Sequence, residues 1–405
     1  MGGDILVIGG GIAGLTSAIE ASETGYSVVL VEKTPFLGGR VAQLNKYFPK
    51  LCPPFCGLEI FYRRMRTNPK LKVFTNAEVL SISGSAGDFS VTLRIKPRFV
   101  NENCTACGEC AKVCPVEVEN EYDFGLSKRK AIYLPHAMAM PMIYAIDEFN
   151  CNKCGECVKV CKYNAINLKE TEKTLNLKVS AIIVATGWKP YDAKKLTNLG
   201  YGKFKNVLTN MEFERLASPN GPTKGKILAN GKPINSIAFA QCAGSRDENH
   251  LPYCSAVCCL ASLKQATYVR EQYPDAKIYI FYIDIRAFGR YEDFFAKVAK
   301  EKGIELIKGK VAKVEEKDGK LIVTAEDTAS QQKVRKEVDM LVLATGMKPS
   351  LSEDPIPGIE VDKYGFVKER PGVFPAGVAM RPLDVMFSNE TATSAVLKAI
   401  QFARR

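Results

Sequence analysis

The sequence predicts an α/β protein made of two parallel-sheet domains, with a small cysteine-rich α+β module inserted into the first. Three observations predict it. A glycine turn directly follows a short apolar strand near the N-terminus and opens a helix. Cysteines become dense from about Asn101 to Cys161, in a stretch with few long apolar runs. Two strand ends of one form, Ala185-Thr186-Gly187 and Ala344-Thr345-Gly346, bracket the middle of the chain as an exit from one domain and a return to it.

Residues 4–9 read as a buried strand, Ala13 to Gly25 as a helix and residues 27–32 as a second buried strand. That βαβ unit implies a parallel sheet. Residues 178–187 restore the buried-strand pattern after the cysteine-rich stretch, and residues 235–240 open a further strand. A helix is expected from about Ser255 to Tyr273, strands near 277–283 and 303–308, a hairpin near 311–325 and a strand over 338–346. A closing helix is expected over Thr391–Arg405, with Asn389 as its N-cap. The first domain is thus placed at residues 1–98, 173–190 and 340–405, the inserted module at 99–172 and the second domain at 191–339.

Size and composition agree. The 405 residues suit two to four domains at roughly 100–200 residues each. The 46% hydrophobic and 25% charged content is that of an ordinary globular protein. No run reaches the ~18 apolar residues of a membrane span. A strand starting within the first residues leaves no room for a signal peptide, so a cytoplasmic setting is expected. The net charge of +12 suits docking to an acidic protein or an anionic membrane surface. Nucleic-acid binding is not expected, because no basic helix carries interleaved stacking aromatics. Fourteen cysteines in such a chain point to metal ligation rather than disulfides.

Gly9, Gly11 and Gly14 form G-x-G-x-x-G in its confirming context of strand, turn, helix and strand, with acidic Glu32 at the end of the second strand. Gly9 permits the tight turn, Gly11 lets backbone approach a pyrophosphate and Gly14 allows close helix–strand packing. The helix start, with Ile12 and Ala13, offers free N–H groups to the anion. Glu32 is placed to accept from ribose hydroxyls, with Lys33 beside it. The next segment points to FAD rather than NAD. Gly39 and Arg40 in Phe36-Leu-Gly-Gly-Arg40 resemble the flavin-enzyme stretch that passes the pyrophosphate, and Ala185, Thr186 and Gly187 belong to the same pattern. Val79 completes the expected lining. These features resemble the two-dinucleotide-domain, thioredoxin-reductase-like flavoproteins. Gly372-Val-Phe-Pro-Ala-Gly377 resembles their second flavin fingerprint, although Val378 stands where an Asp is usual. In the second domain the strand leads into Gln241-Cys242-Ala-Gly-Ser-Arg246 in place of a glycine fingerprint. A pyrophosphate loses its backbone cradle there, which speaks against NAD(P)H.

Twelve of the fourteen cysteines fall into three sets of four. Cys104, Cys107, Cys110 and Cys114 form C-x2-C-x2-C-x3-C, and Cys151, Cys154, Cys157 and Cys161 repeat it. That duplicated run is specific for a 2[4Fe–4S] ferredoxin module, in which the fourth cysteine of each run serves the other cluster. Cys161 is therefore assigned with Cys104, Cys107 and Cys110, and Cys114 with Cys151, Cys154 and Cys157. The third set, Cys242, Cys254, Cys258 and Cys259, has the spacing C-x11-C-x3-C-C, which leaves a cluster, a zinc site or buried thiols open. Cys52 and Cys56 read as a redox-active dithiol, an accessory ligand pair or two structural thiols. His136 and His250 are expected to be structural.

Taken together, these motifs resemble the HdrA family, the flavoproteins of heterodisulfide reductase, over nearly the whole chain. The segment from Gln241 to Cys259 carries the resemblance furthest, and it implies a third, unusual [4Fe–4S] cluster on the third set. The phrase Leu51-Cys-Pro-Pro-Phe-Cys-Gly-Leu-Glu-Ile60 and the length resemble, within that family, the flavin component QmoA of the quinone-interacting membrane-bound oxidoreductase. That implies partner subunits of the QmoB and QmoC kinds, a link to adenylylsulfate reductase, and a cytoplasmic position peripheral to the inner face of the membrane without a span of its own. The implied role is an electron relay between partner iron–sulfur proteins. The alternatives are an HdrA-type flavoprotein that works on heterodisulfide or in sulfur oxidation, with electron bifurcation, and a self-contained NAD(P)H-dependent reductase.

Overall fold

The computed structural model describes residues 4–403. The chain divides into two compact units, residues 1–42, 55–188 and 349–405 in one and residues 43–54 and 189–348 in the other.

The first unit is built on a five-stranded parallel sheet. Its order is Val373–Pro375, Ala181–Val184, Ile5–Ile8, Val28–Val31 and Leu71–Phe74. The three inner strands are uncharged and buried along their whole length, as a parallel sheet covered on both faces requires. Helix α1 (Ile12–Glu23) follows the central strand, and α2 (Pro54–Arg66) lies before the edge strand. A three-stranded antiparallel sheet, Ala77–Ser85, Asp88–Ile95 and Lys173–Val179, packs its apolar face on the same core.

The segment expected as one strand over 178–187 is broken at Ser180. Residues before it pair antiparallel with Asp88–Ile95, and residues after it join the parallel sheet. The cysteine-rich module leaves this sheet after Ile95 and returns at Lys173, and these two residues are cross-strand partners. Insertion there leaves the ladder unbroken, because the two ends already stand side by side. The module carries two short helices, α3 (Glu109–Val113) and α4 (Glu156–Val160), packed on each other.

The C-terminal helix runs over Val385–Ala399, starting earlier than expected, and its N-cap is Asp384, whose side chain accepts from Phe387 N–H. Asn389 is not the cap. It lies inside the helix and accepts a 3.0 Å hydrogen bond from Thr16 Oγ1. The expected end at Arg404 and Arg405 lies outside the described residues.

The second unit repeats the plan, and it includes residues 340–348, which the sequence groups with the first domain, because Met340–Thr345 pairs into its parallel sheet. Its parallel sheet has the order Val207–Thr209, Met340–Thr345, Ser236–Ala243, Lys277–Tyr282 and Ile304–Lys308. Helix α5 (Asn210–Ala217) is closed by a capping box between Thr209 and Glu212. Helix α6 (Cys258–Gln272) follows the central strand, and α7 (Glu292–Ala299) precedes the edge strand. The expected hairpin is a three-stranded antiparallel sheet, Val311–Lys317, Lys320–Asp327 and Gln332–Val338.

Residues 43–54, which the sequence groups with the first domain, pack as an arm on this unit. Arg215 Nη1 donates to Gln43 O at 3.4 Å, Lys264 Nζ to Lys46 O at 2.7 Å, and Asn45 N–H to Glu214 Oε2 at 2.9 Å. Lys264 and Glu214 are both 2% exposed and pair at 2.9 Å. A buried charge is tolerated only with such a partner and further hydrogen bonds. Gln265 and the Tyr268 hydroxyl supply them to Glu214.

Candidate cofactor and iron–sulfur sites

The glycine turn stands at the end of the central strand Ile5–Ile8. Gly9 has φ +109°, and a Cβ there would lie 2.3 Å from Ala185 O. A Cβ on Gly14 would lie 1.7 Å from Gly9 O. Both positions are closed to any side chain. Gly11 caps α1 without a side-chain hydrogen bond, leaving the first-turn N–H groups beside Ile12 and Ala13 for an anion. Gly39, at φ +55°, brings its backbone against Gly11, where a Cβ on Gly39 would be 2.9 Å from Gly11 Cα. The two glycine segments therefore meet backbone to backbone. Glu32 Oε2 accepts from Gly10 N–H at 2.6 Å, and Oε1 accepts from Thr34 N–H and Oγ1 at 2.8 and 2.7 Å. Gly10 is a site residue that the fingerprint alone does not single out. Three consecutive glycines were the available signal.

On the neighbouring strand, the Thr186 hydroxyl oxygen is buried without a hydrogen-bond partner. Gly187, at φ +66°, borders open space. An orphaned buried hydroxyl costs about 1–3 kcal/mol, so this end of the sheet is built for a polar occupant. Together with the glycine cradle and Glu32, it fits the dinucleotide part and the pyrophosphate of FAD. Arg40 donates from Nε to Trp188 O at 3.2 Å, and its guanidinium lies 5.6 Å from the Phe124 ring centroid. Burial lowers its pKa.

The other expected residues differ in role. Lys33 pairs with Asp354 at 3.6 Å on the surface. Val79 is buried in the core with Val91 and Leu93. Gly377 donates its N–H to Thr391 Oγ1 at 2.9 Å, and a Cβ there would lie 2.8 Å from Ala13 Cβ. Its glycine is required by packing on α1.

The two cysteine runs of the inserted module have the same local geometry. Ala106 and Lys153, both at φ +56°, each donate N–H to the sulfur two residues earlier, Cys104 and Cys151, at 3.4 Å. Gly108 and Gly155, at φ 85° and 81°, start α3 and α4, which bury Cys110 and Cys157. Burial pushes the Cys110 thiol up to about 12, with further contributions from Cys104, Cys107 and Cys157. Cys157 is pushed up to about 11 by burial and by Cys151, Cys154 and Cys114. Each buried thiol thus feels a cysteine of the other run, Cys157 acting on Cys110 and Cys114 on Cys157. Cys104, Cys114, Cys151 and Cys161 line the same small core.

The third set converges as well. Cys242 sits at φ +54°, where the central strand Ser236–Ala243 shifts register. Cys258 and Cys259 open α6. Burial dominates the raised thiols of Cys242, which reaches about 11, and of Cys258 and Cys259; Cys259 and Cys254 add to Cys242, Cys242, Cys259 and Cys254 to Cys258, and Cys254 to Cys259. Ala256, at φ +59°, donates N–H to Cys254 Sγ at 3.3 Å. The same N–H to sulfur geometry therefore occurs in all three sets. Hydrogen bonds to sulfur are a standard means of tuning iron–sulfur clusters.

Among the described residues, no three Cys, His, Asp or Glu side chains close on a point that a single ion would occupy. A cubane, gripped at each corner by one thiolate, needs them spaced around a larger body. Cys52 and Cys56 are both exposed. Cys52 lies on the arm of the second unit, and Cys56 lies in the first turn of α2 in the first unit. His136 stacks on Phe55 and Tyr122 with ring centroids 4.9 and 5.1 Å away, and His250 Nδ1 lies 2.7 Å from Tyr191 Oη. No helix is long and apolar enough to cross a membrane among the described residues.

Comparison with known proteins agrees with this geometry. A family profile described as FAD dependent oxidoreductase matches residues 4–57, and one described as 4Fe-4S dicluster domain matches residues 103–166. The chain is 43% identical to an A-type iron-sulfur subunit of the CoB–CoM heterodisulfide reductase of Methanopyrus kandleri, across 97% of this chain and 63% of that protein. It is 41% identical to the corresponding A-type subunit of Methanocaldococcus jannaschii, across 94% and 61%. The A-type subunit of the H2:CoB-CoM heterodisulfide,ferredoxin reductase of Methanothermobacter marburgensis is 36% identical across 97% and 63%. The chain thus spans about three fifths of the length of these relatives. Among solved structures, T. acidophilum thioredoxin reductase aligns with a TM-score of 0.53 at 14% identity, over 99% of this chain and 98% of that one. The bacillithiol disulfide reductase of Bacillus cereus aligns at 0.52 and 13%, over 99% of each chain. The fold is that of a thioredoxin-reductase-like, two-dinucleotide-domain flavoprotein carrying a dicluster ferredoxin module, and the chain is a homologue of the A-type (HdrA) subunits of CoB–CoM heterodisulfide reductases.

Proposed function

We propose that the chain is an oxidoreductase subunit that relays electrons within a heterodisulfide-reductase-type complex. It would hold FAD on the Gly9–Gly14 turn, two [4Fe–4S] clusters on the inserted module and a third on Cys242, Cys254, Cys258 and Cys259. Bound flavin supplies exchange between one- and two-electron steps, and clusters carry single electrons. The chain's own residues cradle the pyrophosphate on bare backbone, hold the ribose at Glu32 and offer the Thr186 hydroxyl to the buried end of the cofactor.

One observation carries the reading. In the second unit, a cysteine set stands at the end of the sheet where the first unit has its phosphate cradle, with Cys242 in the last two residues of the central strand Ser236–Ala243. Cysteines in place of the glycine turn leave no cradle for NAD(P)H there, which disfavours a self-contained NAD(P)H reductase. Electrons for the flavin would come from partner iron–sulfur proteins.

The relatives named above are heterodisulfide reductase subunits, so that complex is favoured over the quinone-linked one. The QmoA reading, with its QmoB and QmoC partners, adenylylsulfate reductase and the inner membrane face, rests only on the Leu51–Ile60 phrase and the length.

Anaerobic purification with flavin extraction and iron and sulfide counting tests the proposal. About twelve iron and twelve sulfide with one FAD per chain is expected, as three cubanes require. Zinc without acid-labile sulfide, or rapid bleaching of the flavin by NADH or NADPH, refutes it.

A further inference from the structure

The two cysteine runs of the inserted module are matched almost position for position. Glu109–Lys112 and Glu156–Lys159 form equivalent exposed ion pairs, at 2.7 and 2.6 Å. Lys153 stands in the second run where the first has Ala106, and Lys162 follows Cys161 where Pro115 follows Cys114. Both lysines are exposed. One lies beside each expected cluster, since Lys162 acts on Glu109 of the first run.

A larger asymmetry lies six residues before the first cysteine of each run. The first run has Arg98 there and the second has Ala145. Arg98 is spread over neutral acceptors. Nη1 donates to Pro35 O at 2.6 Å and to Thr75 Oγ1 at 3.3 Å, Nη2 to Ile143 O at 2.7 Å, and Nε to Tyr144 O at 3.1 Å. Its guanidinium lies 4.8 Å from the Phe36 ring centroid. Glu170 accepts from the main-chain N–H groups of Arg98 and Phe99 rather than from the guanidinium. Arg98 is therefore a partly buried cation with no carboxylate bonded to it among the described residues.

Two contacts give this charge its direction. Through Tyr144, Arg98 reaches the first run, because the Tyr144 hydroxyl lies 3.4 Å from where a Cβ on Gly108 would stand. Tyr133, Cys104 and Glu170 are the charges acting on Arg98, and Cys110, Cys104 and Cys107 all act on Tyr144. Through Pro35 and Phe36, it reaches the segment that leads into Gly38, Gly39 and Arg40. Exposed apolar residues flank both runs, Val113 at 39% in the first and Phe149 and Val158 at 91% and 42% around the second.

We propose that Arg98 is a positioning residue that sets the two clusters of the module apart in potential, holding the Cys104–Cys107–Cys110–Cys161 cluster above its partner. The inference rests on the reading that both runs hold [4Fe–4S] clusters. A cluster with four thiolates is net negative, and reduction adds another negative charge, so a fixed nearby cation favours the reduced state. Partial burial keeps salt from screening it. With both clusters bound, one electron would pass from the reduced second cluster to the oxidised first one. No bond would break and no proton would move, and an external one-electron iron–sulfur donor would supply the electron at the second cluster. The electron would then rest on the cluster of the run that Arg98 adjoins.

The test is a redox titration of the anaerobically purified full chain with dithionite, followed by electron paramagnetic resonance. The module should show two midpoints separated by at least about tenfold in equilibrium constant, about 59 mV for a one-electron couple. In Arg98→Gln the upper midpoint should fall toward the lower with iron content unchanged. In Arg98→Lys, which keeps the charge, it should stay. Coincident midpoints in the unmodified chain overturn the proposal, as do unmoved midpoints in R98Q or a collapse of the split in R98K equal to that in R98Q. If R98Q loses iron, R98K decides: a retained split supports the charge, and a collapsed split refutes it. Absence of two cubane signals in the unmodified chain instead refutes the cluster reading itself.

Discussion

The two parallel-sheet units are built alike and equipped differently. Each has a five-stranded sheet, a helix after the central strand, and an Ala-Thr-Gly end on the strand beside it. In the first unit the central strand ends at Gly9, φ +109°, and the turn is bare backbone. In the second, Cys242 stands next to the last residue of the central strand at φ +54°, a conformation that costs a residue with a Cβ roughly 1–2 kcal/mol. The threonines diverge too. Thr186 Oγ1 is buried and unpaired, whereas Thr345 Oγ1 donates to Asn210 Oδ1 at 3.0 Å. One framework thus presents an open polar end to a ligand in the first unit. In the second, Thr345 is paired and thiols stand at the strand end instead, beside the Gln241 amide, which is buried without a partner.

The largest effect that would break this comparison is expected at Gly14. Gly14→Val has no room for its side chain against Gly9 O, and the flavin content of the purified chain should fall to near zero. Retained flavin would show that the turn is not the cradle. Next is Cys258→Ser, which should remove about one third of the iron, as loss of one cubane in three requires, and leave the flavin in place. Iron loss accompanied by equal flavin loss would mean that the two units are not separately equipped.

The helices after the central strands sharpen the contrast in stability. In α1 no charged residue is buried, whereas α6 buries Lys264 and Gln265. Lys264→Met leaves Glu214 buried without its cation and should destabilise the second unit by about 3–5 kcal/mol in denaturant unfolding. Tyr268, Gln265 and the Asn45 N–H would then have to satisfy the carboxylate.

The threonines give a smaller and opposite pair of effects. Thr186→Val should weaken flavin retention several-fold in equilibrium dialysis with little change in the stability of the apo form. Thr345→Val should cost about 1 kcal/mol of stability and leave flavin retention unchanged. Smallest is the cap of the C-terminal helix. Asp384→Ala should cost about 1 kcal/mol, measurable by thermal unfolding, and Asn389→Ala should cost less, since Asn389 caps nothing.

Much of this architecture is legible in the chain's local patterns. The glycine fingerprint, the duplicated cysteine run and the uncharged strands each work through neighbours a few residues away. The start of the C-terminal helix is not legible in the same way, because Asn389 and Asp384 are both acceptable caps by residue type. Only the Asp384 side chain reaches a free N–H in the folded helix. The break at Ser180 is hidden because two strands in different sheets run on without a strongly polar interruption. The allegiance of residues 43–54 depends on Arg215, Lys264 and Glu214, all far along the chain.

The sequence by itself determined the fold class, the dinucleotide turn and the ferredoxin pair, because these chemistries require fixed residue types at fixed short spacings. Only the tertiary structure decided that Cys242 stands at a register shift near the end of the second unit's central strand while Cys258 and Cys259 open the following helix, that Thr186 is left without a partner, and that Arg98 stands between the first cysteine run and the glycine segment. Each of these depends on groups brought together across sheets and loops, where distance in the chain carries no information about distance in space.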